Sequence, residues 1–183
     1  MPVQGWLQII LTLVAIFLVS IPLGRYMARV VAGQATKLDR VFDPIDNAIY
    51  FLIGRRVASQ AMTWKAYTIH MLITNLVMAI IIYLVLSFQS YLPLNQLNFA
   101  AIDPLLAFNT TISFITNTNW QAYGGESTLS NFSQMGAITF PMFTSATTGF
   151  VVAMAWIRAF TVGNGGADLG NFYRVFIGLL PAY

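Results

Sequence analysis

Residues 103–126 read DPLLAFNTTISFITNTNWQAYGGE, and they are the most informative stretch of the chain. Asp is a favoured helix N-cap and Pro suits the first helical position, so the stretch predicts a helix over residues 103–115 with Asp103 as its N-cap. Such a helix is about 18 Å long at 1.5 Å per residue, or roughly half a bilayer. A polar, uncharged loop follows at residues 116–121, TNTNWQ, and then the water-seeking sequence GGE at residues 124–126.

This pattern predicts a re-entrant loop that enters the membrane and returns to the same side. Non-helical backbone at membrane depth is tolerated where it is buried in protein or lines a watery cavity. The C-terminal end of the half-helix carries about −0.5 charge and free carbonyl groups, which attract a cation. Residues 104–125 contain no Asp or Glu, so neutral oxygens would bind the ion, which suits a monovalent cation. The alternative is an external loop whose amphipathic helix lies on the membrane surface.

The composition predicts an all-α integral membrane protein. Hydrophobic residues make up 57% of the chain and charged residues 8%, whereas soluble domains carry about 25% charged residues. Residues 1–24 are uncharged and predict an N-terminal transmembrane helix, and residues 66–88 and 138–157 predict two further spans. The net charge of +3 is weak and scattered, so we expect no nucleic-acid partner, and without Cys there is no thiolate metal site.

The basic residues predict the orientation of the spans. Seven of the nine Lys and Arg residues lie in residues 25–65, which we therefore expect to be a cytoplasmic connection, with the N-terminus outside. A cleaved signal sequence is the alternative for residues 1–24. Within the connection, apolar residues at helical spacing over residues 42–53 indicate a helix, either along the membrane surface or in a solvated loop. His70 and Asn75, in the second span, are interpreted as packing residues.

Residues 109–135 carry a resemblance to a known family. They read NTTISFITNTNWQAYGGESTLSNFSQM, and this run resembles the first pore-loop region of the potassium-translocating subunit of the Kdp potassium-transporting ATPases. The flanking sequences PLG at 22–24, MTWK at 62–65, YLPLN at 91–95 and IRAFT at 157–161 also agree. The resemblance covers nearly the whole chain, and the TNTNWQ run is its most specific part.

The resemblance implies a fold of the K⁺ transporter superfamily, in which an extra N-terminal helix precedes helix–pore loop–helix repeats. Four repeats surround a selectivity filter, and the transported ion is K⁺, with no prosthetic group. The filter residues carried over to this sequence are Thr116, Asn117, Thr118, Asn119 and Gln121. The implied setting is the bacterial cytoplasmic (inner) membrane and its lipid. The implied partners are the small membrane subunits of the complex and an ATP-hydrolysing P-type ATPase subunit.

The chain departs from this pattern in the number of repeats. Residues 66–160 supply one repeat, and residues 161–183 are expected to form a cytoplasmic loop and the start of a truncated next span. We therefore expect the N-terminal part of a longer subunit, with ATP hydrolysis on a different chain, since no DKTGT phosphorylation motif is present. The alternative is a pore-forming subunit of a K⁺ channel or an ion-coupled K⁺ transporter that works without ATP. An intramembrane enzyme would need paired His, Cys or carboxylates, and the chain has one His.

Overall fold

The computed structural model describes residues 3–34, 39–161 and 169–179, which form helices and turns without a strand. Within this part, three helices are long and apolar enough to cross a membrane: Val3–Val31, Trp64–Ser87 and Asn131–Thr161. They confirm the predicted all-α membrane class. The chain forms two compact units, Met1–Ala58 with Tyr173–Tyr183, and Ser59–Phe172. Much of the predicted loop and next span after residue 161 lies outside the described residues.

Helix α1, Val3–Val31, belongs to the first unit and is longer than the predicted span over residues 1–24. It continues through Arg25 and Arg29, because Arg is a good helix former and its long side chain can carry the charge away from apolar surroundings. The helix ends at Val31, and Gly33 follows with a φ of 68°, the left-handed conformation that closes many helices. The Gly33 and Gln34 N–H groups return to the carbonyls of the last turn.

Helices α2, Asp39–Ile53, and α3, Arg55–Ser59, follow along the chain. The predicted apolar spacing in α2 is only partly matched by burial, since Phe42 and Ile49 are half-buried while Ile45 and Leu52 are exposed. The face of α2 that is half-buried therefore only partly coincides with the apolar face predicted from the sequence.

Tyr50, a half-buried residue of α2, has a raised pKa. Burial raises the pKa of the Tyr50 hydroxyl above its ordinary value, and the Asp46 carboxylate raises it further, while the Arg174 guanidinium opposes the shift. Arg174 belongs to the last helix, α9, Phe172–Leu179. A second contact in this unit joins α1 to α9, because the Tyr26 hydroxyl donates to the Gly178 carbonyl oxygen at 2.8 Å.

The second unit is built on a half-length helix packed between two long ones. Helix α5, Pro104–Ile115, packs against α4, Trp64–Ser87, and against α8, Phe140–Thr161. A 3₁₀ turn, Gln89–Tyr91, and helix α6, Gly125–Thr128, lie in the connections before and after α5. The buried core beside α5 consists of Ile82, Leu86, Ile102, Ala107, Leu129 and Ala137.

The third long helix starts earlier than the predicted residue 138. It begins with one short turn, α7, Asn131–Ser133, and passes through a π-helical segment, Gln134–Thr139, before it becomes α8. The Ser130 side chain caps this start by accepting from Ser133 N at 3.1 Å. Because residues 130–134 are polar apart from Phe132, hydropathy alone places this turn in the loop, although the Ser133 side chain is fully buried.

Hydrogen bonds at one end of the second unit join the two long helices. The Tyr67 hydroxyl of α4 donates to the Val151 carbonyl oxygen of α8 at 3.1 Å. Arg158 Nη1 donates to the Leu169 carbonyl oxygen at 2.8 Å, and Leu169 N donates to the Met62 carbonyl oxygen at 3.1 Å. These contacts hold α4 and α8 side by side, with α5 packed against both.

Candidate ion-binding loop

Helix α5 presents the TNTNWQ loop (residues 116–121) at its C-terminal end. Asp103 Oδ1 accepts hydrogen bonds from Leu105 N at 2.9 Å and Leu106 N at 3.2 Å, and Pro104 is the first helical residue. The helix has 12 residues and ends at Ile115. Its C-terminal dipole, worth about −0.5 charge, is therefore next to the loop.

In the loop, Thr and Asn residues alternate along the chain, and each pair of like residues is in contact. The hydroxyl oxygens of Thr116 and Thr118 lie 2.8 Å apart, and Asn119 Nδ2 donates to Asn117 Oδ1 at 3.1 Å. Both Asn residues have φ of 59°, in the left-handed region that Asn tolerates better than most side chains do. The structure thus brings four of the five predicted site residues together in one exposed turn.

The fifth predicted residue, Gln121, lies apart from this group. Its Nε2 donates to the Tyr123 hydroxyl at 3.2 Å, and its side chain is exposed. Gln121 is therefore placed beyond the turn, on the part of the chain that leads to α6.

Ser113, in the last turn of α5, holds the loop through both of its oxygens. The Ser113 carbonyl oxygen accepts from Thr118 N at 2.9 Å and from Asn119 N at 3.2 Å. Its hydroxyl accepts from Trp120 N at 3.0 Å and donates to the Trp120 carbonyl oxygen at 2.8 Å. Ser113 is 3% exposed, whereas the loop residues that it binds are exposed. One buried residue thus binds the N–H groups of three successive loop residues.

Three carbonyl groups of the loop, those of Asn117, Thr118 and Asn119, point away from Ser113. In a trans peptide the C=O and N–H bonds are antiparallel, and the described residues contain no cis peptide. The carbonyls of Asn117, Thr118 and Asn119 precede the three N–H groups that Ser113 binds, so they face the opposite side. Within the described residues, no hydrogen bond reaches these three oxygens. They are available to a ligand that accepts electron density, such as a cation.

A second serine contacts the loop from α8. Ser145 Oγ lies 3.2 Å from Asn117 Oδ1 and 2.6 Å from the Pro141 carbonyl oxygen, and Ser145 is buried. Sequence reasoning missed both Ser113 and Ser145, because each has the pattern of a small residue inside an apolar helix. For Ser113 the only signal was a hydroxyl residue within one turn of the predicted helix end at residue 115, and that position does not show that the chain folds back onto it.

Comparisons with known proteins show the family of the chain. A sequence model of the family described as "Potassium-transporting ATPase A subunit" matches residues 10–180. The chain belongs to that family. A relative from Alicyclobacillus acidocaldarius, named potassium-transporting ATPase potassium-binding subunit, is 47% identical over 173 residues, or 94% of this chain and 30% of the relative. Relatives with the same name from Rhodospirillum centenum and Caulobacter vibrioides are 46% and 45% identical and cover 92% and 93% of this chain.

Membership of the family confirms the resemblance seen in the sequence, including its restriction to the N-terminal part. The chain spans about 30% of the length of these curated relatives. The TNTNWQ loop, its half-length helix and the two flanking long helices lie inside the matched residues. The matched part of this chain therefore contains the TNTNWQ loop together with the helices that support it.

Proposed function

We propose that the chain forms one wall of a K⁺-selective path in the potassium-translocating subunit of an ATP-driven uptake pump. The observation that carries the proposal is the set of three unbonded carbonyl oxygens, at Asn117, Thr118 and Asn119, at the end of a half-length helix. Backbone carbonyls of this kind replace the hydration shell of K⁺ in selectivity filters. The Thr116 and Thr118 hydroxyls and the Asn carboxamides add further neutral oxygens beside them.

The electrostatics of the loop suit an ion that has to leave again. Residues 104–125 contain no charged side chain, so the attraction comes from carbonyl dipoles and from the C-terminal end of α5. Fixed carboxylates would hold a cation more tightly and would favour multivalent ions. The proposed cargo is therefore a dehydrated monovalent cation, K⁺, and the chain's own residues supply only neutral ligands.

The proposed setting is the bacterial cytoplasmic membrane, with the N-terminus outside and residues 25–65 in the cytoplasm. The proposed partners are the remaining part of the same polypeptide, the small membrane subunits of the pump and an ATP-hydrolysing P-type ATPase subunit. The relatives' name, a potassium-binding subunit of an ATPase, and the short share of their length that this chain covers both support this assembly. One loop can supply only one side of a filter.

The test uses the full-length protein, assembled with its partners in liposomes. We expect K⁺ uptake that requires ATP, and we expect Asn119→Lys to abolish it by placing a cation among the three carbonyls. The matched control is Asn98→Lys, since Asn98 is also exposed and has a positive φ of 52° but lies outside the loop. Flux without ATP would favour the channel alternative. Equal uptake by both variants would contradict the assignment of the loop.

A further inference from the structure

Ser113 makes more contacts with the loop than any residue assigned to the ion path. We propose that Ser113 is a positioning residue that sets the direction of the three loop carbonyls and thereby the ion selectivity of the path. This inference rests on the proposed function, because it assigns selectivity to a loop that binds K⁺. It concerns a residue that does not itself touch the ion.

The argument starts from the proton on the Ser113 hydroxyl. A hydroxyl has one O–H donor and two acceptor lone pairs, and the two contacts with Trp120 use it once in each role. Both contacts are therefore satisfied at the same time, at 2.8 and 3.0 Å. Together with the two backbone N–H bonds to the Ser113 carbonyl oxygen, they fix the peptide planes on both sides of Thr118 and Asn119.

The Trp120 carbonyl has the opposite orientation to the three carbonyls before it. It accepts from the Ser113 hydroxyl and so faces α5, whereas the three preceding carbonyls face away from it. A side chain that binds both polar groups of Trp120 defines which oxygens belong to the ion path and which do not. Without that hydroxyl, the 119–120 peptide loses the hydrogen bond to its N–H and the Trp120 carbonyl is free to turn.

The consequence for selectivity follows from the number and direction of the oxygens that surround the ion. Discrimination between K⁺ and neighbouring ions depends on the size of the site and on the number of coordinating dipoles. When the 119–120 peptide is no longer held, the Asn119 oxygen moves relative to the other two. We therefore expect discrimination to fall more than the amount of folded protein does.

The experiment compares Ser113→Ala with Thr111→Ala in the full-length, assembled complex. Thr111 is a matched control because it is also buried in α5, while its hydroxyl donates only to its own helix, at Ala107 O and 2.8 Å. The readouts are the apparent affinities for K⁺, Rb⁺ and Na⁺ and the amount of assembled complex. We expect Ser113→Ala to reduce the K⁺ preference over Rb⁺ or Na⁺ by about tenfold, equivalent to about 1.4 kcal/mol, and Thr111→Ala to leave it at the parental value.

A second variant keeps the proposal testable where Ser113→Ala assembles poorly. Ser113→Cys keeps the size of the side chain nearly constant but replaces the hydroxyl with a weaker donor and acceptor. It should assemble and show an intermediate ion preference. A parental preference in both variants, or an equal loss in Thr111→Ala, would overturn the role of Ser113. If the parental complex itself shows no K⁺ transport, the proposed function fails instead.

Discussion

Ser145 of α8 reaches Asn117 of the TNTNWQ loop, with Ser145 Oγ 3.2 Å from Asn117 Oδ1. The same hydroxyl lies 2.6 Å from the Pro141 carbonyl oxygen. A hydroxyl has one proton, and the shorter contact takes the larger share of it. Ser145 therefore steadies the Asn117 side chain without holding it as firmly as Ser113 holds Trp120.

We predict that Ser145→Ala weakens K⁺ binding only slightly. A net hydrogen bond contributes about 0.5–1.5 kcal/mol, and a shared one should fall at or below the lower limit. The measurement is the K⁺ affinity of the full-length complex, with Thr148→Ala as a control, because Thr148 donates only within α8, to Thr144 O. A loss larger than that of Ser113→Ala would mean that α8, rather than α5, determines the loop's conformation.

Asn117 is predicted to be sensitive to the shape of its replacement. Its φ of 59° is strained for a β-branched side chain, and such conformations cost about 1–3 kcal/mol. Asn117→Val should therefore lower K⁺ affinity by about tenfold or more. Asn117→Gly should lose less, because glycine adopts this φ freely and only the side-chain contacts disappear. The reverse order of the two variants, measured in the same assay, would argue that the carboxamide matters more than the backbone.

Asp103 is predicted to stabilise α5 mainly as a cap. Replacing a capping Asp by Ala costs about 1 kcal/mol, whereas Asn keeps the capping oxygen. Thermal unfolding of the assembled complex should therefore be shifted more by Asp103→Ala than by Asp103→Asn. If both variants lowered stability equally, the negative charge at the helix N-terminus, rather than the hydrogen bonds to Leu105 and Leu106, would be the main contribution.

Gln121 is predicted to lie near the ion path without belonging to the group of oxygens that binds the ion. For an assumed separation of about 8 Å and an effective dielectric constant of ~20, a unit charge changes the energy of K⁺ by roughly 2 kcal/mol, or about thirtyfold in affinity. Gln121→Lys should weaken K⁺ binding by up to this factor, and Gln121→Glu should not weaken it. Titration of K⁺-stimulated ATP hydrolysis measures both. Equal effects of the two charges would point to lost contact with Tyr123 instead of electrostatics.

The orientation of the chain predicts opposite accessibility for two exposed acidic positions. In a full-length protein whose other residues are free of Cys, Glu126→Cys should react from outside the cell with a membrane-impermeant thiol reagent. Asp43→Cys should react only after the membrane is made permeable, because residues 25–65 are expected in the cytoplasm. Labelling of Asp43→Cys in intact cells would reverse the proposed topology.

Part of the fold follows directly from local sequence chemistry. The Asp-Pro pair at residues 103–104 marks a helix start by capping and by the fixed φ of proline, and α5 begins there. Hydropathy did not predict two helix ends correctly, the C-terminal end of α1 and the start of the third long helix. Arg25 and Arg29 interrupt the apolar pattern without ending α1. The mostly polar residues 131–134 are helical because the Ser130 side chain caps them and Ser133 is buried.

The candidate site was predictable in composition but not in geometry. The loop's neutral oxygens can be read from TNTNWQ, whereas the direction of each carbonyl depends on contacts across the turn. The hydrogen bonds from Ser113 to Trp120 cross the turn after α5, and the periodicity of apolar residues along a helix or strand does not predict contacts across a turn. Asn tolerates the left-handed φ that Asn117 and Asn119 adopt, but most Asn residues have a negative φ. The residue type alone therefore does not predict this conformation.

The π-helical segment Gln134–Thr139 has a consequence for how this family can vary in length. A π turn holds more residues than an α turn, and Thr139 Oγ1 donates across it to the Gln134 carbonyl oxygen. A one-residue deletion inside the segment can be absorbed by tightening it to an ordinary α turn, so that both flanks keep the faces they present. The same deletion inside α8 would rotate all later residues by about 100° and turn the Ser145 hydroxyl away from Asn117 or the Arg158 side chain away from Leu169.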